Sequence, residues 1–219
     1  HSSIVPMTVD GRRMYVYSAL GGIAGVAADG SGRGRILFES SAWNNAVIAP
    51  SPVVFPDGRL FLTAGYGAGG MMMRIAPDGD GFSAEVLYEH DPRGGLACEQ
   101  QTPVLYNGLL YGVLPKDAGG LRTQFVCYDP GGKLLWSSGK DYQFGLGPFM
   151  AADGKFLILS DEGTLYLTQA AADSFDVLDS VRVLDGVDAW GPMALASGRL
   201  LVRDSKRMVC LDISKEGNR

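Results

Sequence analysis

The sequence predicts an all-β chain built as a β-propeller of four-stranded antiparallel blades. Three observations predict it: a repeat of about 45 residues, a tight-turn signal at the same place in every repeat, and no run of ten or more residues with a helical apolar period. One cassette recurs five times: a proline, a short apolar run, a two-residue turn ending in glycine, and a second apolar run. It opens at Pro6, Pro52, Pro103, Pro148 and Pro192, so successive openings lie 46, 51, 45 and 44 residues apart. The turns are Asp10-Gly11, Asp57-Gly58, Asn107-Gly108, Asp153-Gly154 and Ser197-Gly198. Both central residues of a type I′ turn need positive φ, which Asp-Gly and Asn-Gly tolerate best, so each cassette predicts a hairpin.

Each unit continues alike. A loop, glycine-rich in the first four units, leads to a third strand predicted over IAGVAAD, MMMRIAPD, TQFVCYD, TLYLTQA and RMVCLD. A fourth strand is predicted over RILFES, EVLYEH, KLLWSS and SVRVLD, with Phe38, Tyr88 and Trp136 near its end in the first three units. The last unit stops after its third strand. The blades therefore span 4–48, 49–100, 101–146, 147–190 and 191–214, four full and one of three strands, with a polar tail at 215–219. A single twisted sheet leaves apolar faces wet, and stacking sheet on sheet buries them. Only HSSIV precedes the first proline, too little for a fourth strand that would close the ring. The expectation is that these blades are part of a larger ring whose other blades lie upstream; the alternative is a five-bladed ring closed imperfectly. An open arc also predicts self-association through exposed blade edges.

Composition narrows the function classes. The 219 residues are 46% hydrophobic, with a formal net charge of −5 and lysines and arginines scattered singly, which argues against nucleic acid as a partner. No stretch approaches the ~18 apolar residues of a membrane span, and no signal peptide is visible. With two histidines, no Ser-His-Asp or Cys-His arrangement is available. His90, at a strand end before Asp91-Pro92, has no His or Cys spacing around it that would complete a zinc site. Gly65 to Gly70 lacks the Lys-Ser/Thr of a phosphate loop and reads as an inter-strand loop. Met71, Met72 and Met73 read as core. Cys127 and Cys210 share the third-strand slot of units three and five and read as small buried packing residues; 83 residues apart, they are too distant to pair. Cys98 reads as a loop thiol with no activating neighbour.

The candidate site lies in the linkers that enter each blade, since these crowd one axial face of a propeller together with the loops between second and third strands. The ligand-binding candidates are Trp43, Asn44, Asn45, Glu99, Gln100, Gln101, Tyr142, Phe144, Asp188 and Trp190. Aromatics beside amides and carboxylates suit a sugar, a peptide or a flat cofactor. The bland reading of the same residues is that the aromatics cap blade tops and the amides satisfy loop backbone.

The segments TPVLYNGLLYGVL, QFVCYDPGGKLLW and GPMALASGRLLVRDSKRMVCLDIS resemble the PQQ-like, or quinoprotein alcohol dehydrogenase-like, propeller repeat, over nearly the whole chain. That family includes quinoprotein dehydrogenases carrying PQQ and calcium, the lipoprotein scaffold of the outer-membrane β-barrel assembly machinery, and secreted bacterial proteins of no assigned activity. The adjacent-cysteine pair of the alcohol dehydrogenases is absent, because Glu99 follows Cys98, and no calcium-ligand set can be matched. The resemblance thus implies a periplasmic or extracellular, non-catalytic binding or scaffold protein without cofactor, taking a protein or carbohydrate on the axial face. The alternatives are a quinoprotein oxidoreductase with part of its PQQ and calcium site upstream, and a carbohydrate-active enzyme using Glu99 and Asp188.

Overall fold

The computed structural model describes residues 2–30 and 32–214; the tail expected at 215–219 lies outside the described residues. The chain folds into five antiparallel sheets in sequence order. The first holds β1 (Val5–Val9), β2 (Arg12–Ala19), β3 (Gly22–Ala27) and β4 (Ile36–Ser40). The second holds β5 (Val53–Val54), β6 (Arg59–Ala64), β7 (Gly69–Asp78) and β8 (Gly81–His90). The third holds β9 (Val104–Tyr106), β10 (Leu109–Val113), β11 (Phe125–Tyr128) and β12 (Leu134–Ser137). The fourth holds β13 (Phe149–Ala152), β14 (Lys155–Leu159), β15 (Thr164–Gln169) and β16 (Val177–Arg182). The fifth has three strands, β17 (Ala194–Ala196), β18 (Arg199–Arg203) and β19 (Met208–Asp212). Every sheet is an up-and-down meander, as the blade of a propeller requires.

Four of the five entry turns have the expected geometry, with φ of 49° and 71° at Asp10-Gly11, 49° and 80° at Asn107-Gly108, 47° and 72° at Asp153-Gly154, and 49° and 73° at Ser197-Gly198. The second differs. Only Gly58 has positive φ there, and β5 and β6 are joined by four residues, with Gly58 N–H donating to Phe55 O at 3.3 Å. Pro56 sets φ for the first central position of a type I turn, which leaves the left-handed residue to the glycine that follows. The fourth strand of the fourth unit also differs, running Val177–Arg182 rather than Ser180–Asp185. Val183 and Leu184 leave the sheet to donate to Gly163 O, and Leu184 enters the core instead.

The core is four apolar layers between successive sheets, and one rule generates them. Counting from the turn glycine, the third and fifth residues of the second strand face the following sheet, while the second and fourth face the preceding one. Met14 and Val16 thus meet Leu60 and Leu62 between the first and second sheets. Phe61 meets Leu110 in the next layer, Tyr111 and Val113 meet Phe156 and Ile158, and Leu157 and Leu159 meet Leu200 and Val202. The period of two along a strand makes one strand serve two layers. Each such side chain, fully buried, stabilises by about 1.5–3 kcal/mol. Met71 and Met73 fall in the first layer and Met72 in the second, so all three methionines are core.

Several polar atoms inside the layers are hydrogen-bonded. Tyr111 Oη and Trp136 Nε1 both donate to Ala171 O, at 3.2 and 3.3 Å, at the rim of a layer where Phe125 and Phe156 pack edge to face at 5.1 Å. Thr63, the fifth-position residue of β6, donates to Gly69 O and accepts from Cys98 N–H, each at 2.8 Å.

The two end sheets show the rule by its failure. Arg13, Tyr15 and Tyr17 of β2 occupy the side that should meet a preceding sheet, and Leu201 and Arg203 of β18 the side that should meet a following one; all five are exposed. Among the described residues no apolar cluster joins the fifth sheet to the first. This corrects the reading of Cys210 as buried: all three cysteines are free, and Cys127 is buried, but Cys210 in the same slot is exposed because no sheet of the described residues covers it.

Gly112 fills the fourth position in β10, where the second, fourth and fifth sheets carry Leu62, Ile158 and Val202. A Cβ there would meet Cys98 Sγ at 2.6 Å and Leu96 Cδ1 at 3.2 Å, because the linker residues Leu96–Cys98 have entered the layer in its place. Gly112→Ala is expected to destabilise by about 1–3 kcal/mol in urea denaturation. In a Cys98→Ala background the loss should shrink; additive losses would contradict this packing.

Candidate functional site

The linkers between sheets are tied to one another near the innermost strands. Ser3 N–H donates to Ser51 Oγ and Ser51 N–H to Thr102 Oγ1, each at 2.9 Å, where Ser51 and Thr102 immediately precede the prolines that open their blades. Two linkers distant in sequence then meet: Gln101 Nε2 donates to Trp190 O at 3.0 Å, across 89 residues. The linker entering the third sheet therefore touches the linker entering the fifth.

Two acidic side chains are seated against glycines around this contact, Glu99 by its methylenes and Asp161 by its carboxylate. Glu99 lies where a Cβ on Gly65 would stand, and the Asp161 carboxylate lies where a Cβ on Gly145 would stand. Gly145 has φ of 63°, a conformation glycine adopts without steric cost. Backbone bonds fix the surroundings: Phe144 N–H donates to Thr123 O at 2.7 Å, Asp161 N–H to Phe144 O at 3.0 Å and Ala189 N–H to Asp161 O at 3.3 Å. Asp117 Oδ2 accepts from Gly67 N–H at 2.9 Å, joining the loops of the second and third sheets.

Burial raises the Glu99 carboxyl above its ordinary value, and Asp117 raises it further against the opposing pull of Lys116. Burial also raises Asp161; the Leu146 N–H opposes, Glu162 adds to the rise, and Lys116 again opposes. One ammonium thus lies within electrostatic reach of both carboxylates. Glu99, Gln100 and Gln101 border a recess with Val113 and the Gly145–Gly147 backbone, of only about 10 Å³. Small-molecule sites are roughly 300–1,000 Å³.

Of the candidates read from sequence, Glu99, Gln100, Gln101 and Trp190 come together. Gln100 and Trp190 are exposed and the other two half-buried. Trp43 is buried in the layer between the first and second sheets, and Phe144 in that between the third and fourth. Tyr142 packs beside Tyr166 and Phe175 at 6.0 and 5.4 Å, so these three aromatics serve sheet packing. Asn44 accepts from Gly21 N–H at 3.0 Å at the exposed end of the first sheet, and Asn45 beside it is half-buried. Asp188 is exposed with φ of 53°, two residues before Trp190. Lys116, Asp117 and Asp161 were not among the candidates. Their signal was positional: Lys116-Asp117 follows Leu114-Pro115 and Asp161-Glu162 follows Ser160, the loop after the second strand in each unit.

The residues present do not fit PQQ with calcium. The recess is far too small for a flat tricyclic cofactor, and among the described residues no group of three or more His, Cys, Asp or Glu could hold a metal ion. His90 is a packing residue: its ring stacks on Tyr88 at 5.8 Å, its Nδ1 lies 3.2 Å from Asp91 O, and burial lowers its basicity.

No family profile matches the chain, and no characterised protein matches it in sequence. Among solved structures, BamB from Moraxella catarrhalis matches with a TM-score of 0.60 at 12% identity, over 94% of this chain and 56% of that one. The chain thus spans a little over half the length of that structure. The likeness establishes the β-propeller fold and, at this identity, the fold alone.

A carboxyl raised in the folded state contributes stability that is present below its ordinary titration range and is lost as pH rises through the folded value. Glu99→Gln should therefore be more stable than the parent at pH 7, with the gap closing as pH falls through the carboxylate range. Urea denaturation at both ends of that range checks it; a less stable variant at pH 7 would contradict the burial argument.

Proposed function

We propose that the protein is a non-catalytic binding or scaffold propeller that takes a protein or carbohydrate partner on its axial face. The observation that carries this reading is the convergence of Gln101 with Trp190, beside half-buried Glu99 and exposed Gln100. The shallow recess favours a partner laid across the face over a small molecule held in a cavity. The indole of Trp190 offers area at low conformational cost, and the amides of Gln100 and Gln101 offer donors and acceptors suited to peptide backbone or sugar hydroxyls. Placement in the periplasm or outside the cell is part of the proposal and rests on the repeat resemblance.

Trp190→Ala and Gln100→Ala change exposed side chains and should leave the fold intact. Peptide-array and glycan-array screening of the parent should yield ligands of one class. For such a ligand each variant should weaken binding about tenfold or more, the scale of a lost interface anchor. Ligands that bind both variants as tightly as the parent would overturn the axial-face reading.

A further inference from the structure

Positive charge gathers at the end of the molecule opposite the entry linkers, among the β1–β2, β3–β4 and β7–β8 connections. Asp80 lies in the turn between β7 and β8, and its carbonyl oxygen accepts from two arginines of the first sheet: Arg12 Nη1 at 3.0 Å and Arg35 Nη2 at 2.5 Å. Two cations are thus drawn to one neutral oxygen. Like charges so placed repel, and no carboxylate answers them: among the described residues the ion pairs involve Arg59, Arg199 and Arg207. Arg12 is further fixed by the ring of Phe82, which its guanidinium faces at 5.0 Å. Phe82 is itself buried in the layer between the first and second sheets. Both arginines are therefore placed by contacts between two adjoining sheets. Arg13 joins them from the other side of β2, and Arg12, Arg13, Arg35 and Asp29 line a pocket of about 310 Å³. Gly30 and Gly32 border it. That volume reaches the range of small-molecule sites, which the recess beside Glu99 does not.

We propose that this pocket binds a phosphate group. Guanidinium groups stay charged across the working pH range and present forked N–H donors that match phosphate oxygens. Asp80 O takes a single N–H from Arg12 and one from Arg35, which leaves the rest of each fork to an anion that neutralises the pair. Arg13 adds a third guanidinium. Asp29, the one carboxylate on the lining, selects among oxyanions. A carboxylate accepts a hydrogen bond from a protonated oxygen and repels a bare one, so hydrogen phosphate or a phosphate monoester fits better than sulfate. Free phosphate and the headgroup of phosphatidic acid both present that chemistry. The pocket lies at the opposite end from Gln101 and Trp190 and is independent of the axial-face reading.

Isothermal titration with inorganic phosphate near neutral pH, with ionic strength held constant by chloride, is expected to show saturable binding at a single site. Arg35 is exposed, so Arg35→Gln should keep the fold and weaken binding about tenfold or more, the scale of a lost charge-assisted hydrogen bond. Arg122→Gln removes the same charge from an exposed position in the third unit and should leave binding unchanged. Sulfate should bind less tightly than phosphate. Vesicles containing phosphatidic acid separate the sources. Vesicle binding that is lost in Arg35→Gln assigns the lipid headgroup, and phosphate binding without vesicle binding assigns the soluble ion or ester. No saturable phosphate binding, equal binding to Arg35→Gln, an equal loss in Arg122→Gln, or sulfate held as tightly as phosphate would overturn the proposal.

Discussion

Packing of one sheet on the next through the two sides of its second strand is the constraint on which the molecule depends. Met14 and Val16 look forward, and Leu60 and Leu62 look back to meet them; three more pairs of strands repeat the arrangement. Since a strand alternates sides at every residue, a single buried strand welds its sheet to both neighbours. The short first strands, only two residues in β5 and three in β9, add little area of their own. Stability in such a stack is a sum over neighbouring interfaces. Local exceptions confirm how closely the layers are filled: where β10 places Gly112 in the layer, Leu96 and Cys98 occupy the space.

The same stacking builds the candidate site. Successive sheets present their entry linkers and their second-to-third-strand loops at one end, which is how Gln101 reaches Trp190 across 89 residues. Glycines then let acidic side chains approach the backbone, the Glu99 methylenes at Gly65 and the Asp161 carboxylate at Gly145. What results is a broad polar surface with one lysine near two partly buried acids and almost no cavity. That shape is the basis of the proposed recognition of a partner's surface.

Much of the fold was legible because its signals are local. Asp-Gly and Asn-Gly need no tertiary help to favour a tight turn, and four of the five turns obey them; Asp57-Gly58 departs because Pro56 imposes a type I turn first. Other features depended on neighbours that a linear pattern does not reveal. Cys127 and Cys210 look equivalent along the chain, yet among the described residues one has a sheet against it and the other has none. The fourth strand of the fourth unit was misplaced because Val183 and Leu184 continue its apolar run after the chain has turned into the core. At the site, Trp43, Tyr142 and Phe144 carried the composition of a binding surface, but aromatics at linker ends also close the layers, and here they do. Lys116, Asp117 and Asp161 were hidden in ordinary loop sequence and became notable only once the loops converged.

Thiol accessibility tests the packing account most directly, because the three cysteines report on three positions relative to the layers. Cys98 and Cys127 lie inside layers, and burial raises both thiols, Cys127 to about 11. Cys210 has the strand position of Cys127 but is exposed, with no following sheet among the described residues. With a maleimide reagent on the native protein and mass mapping of the products, the account predicts rapid modification of Cys210, while Cys98 and Cys127 react only after unfolding. Modification of native Cys127 at a rate comparable with Cys210 would contradict it, since the layer between the third and fourth sheets could not then be closed.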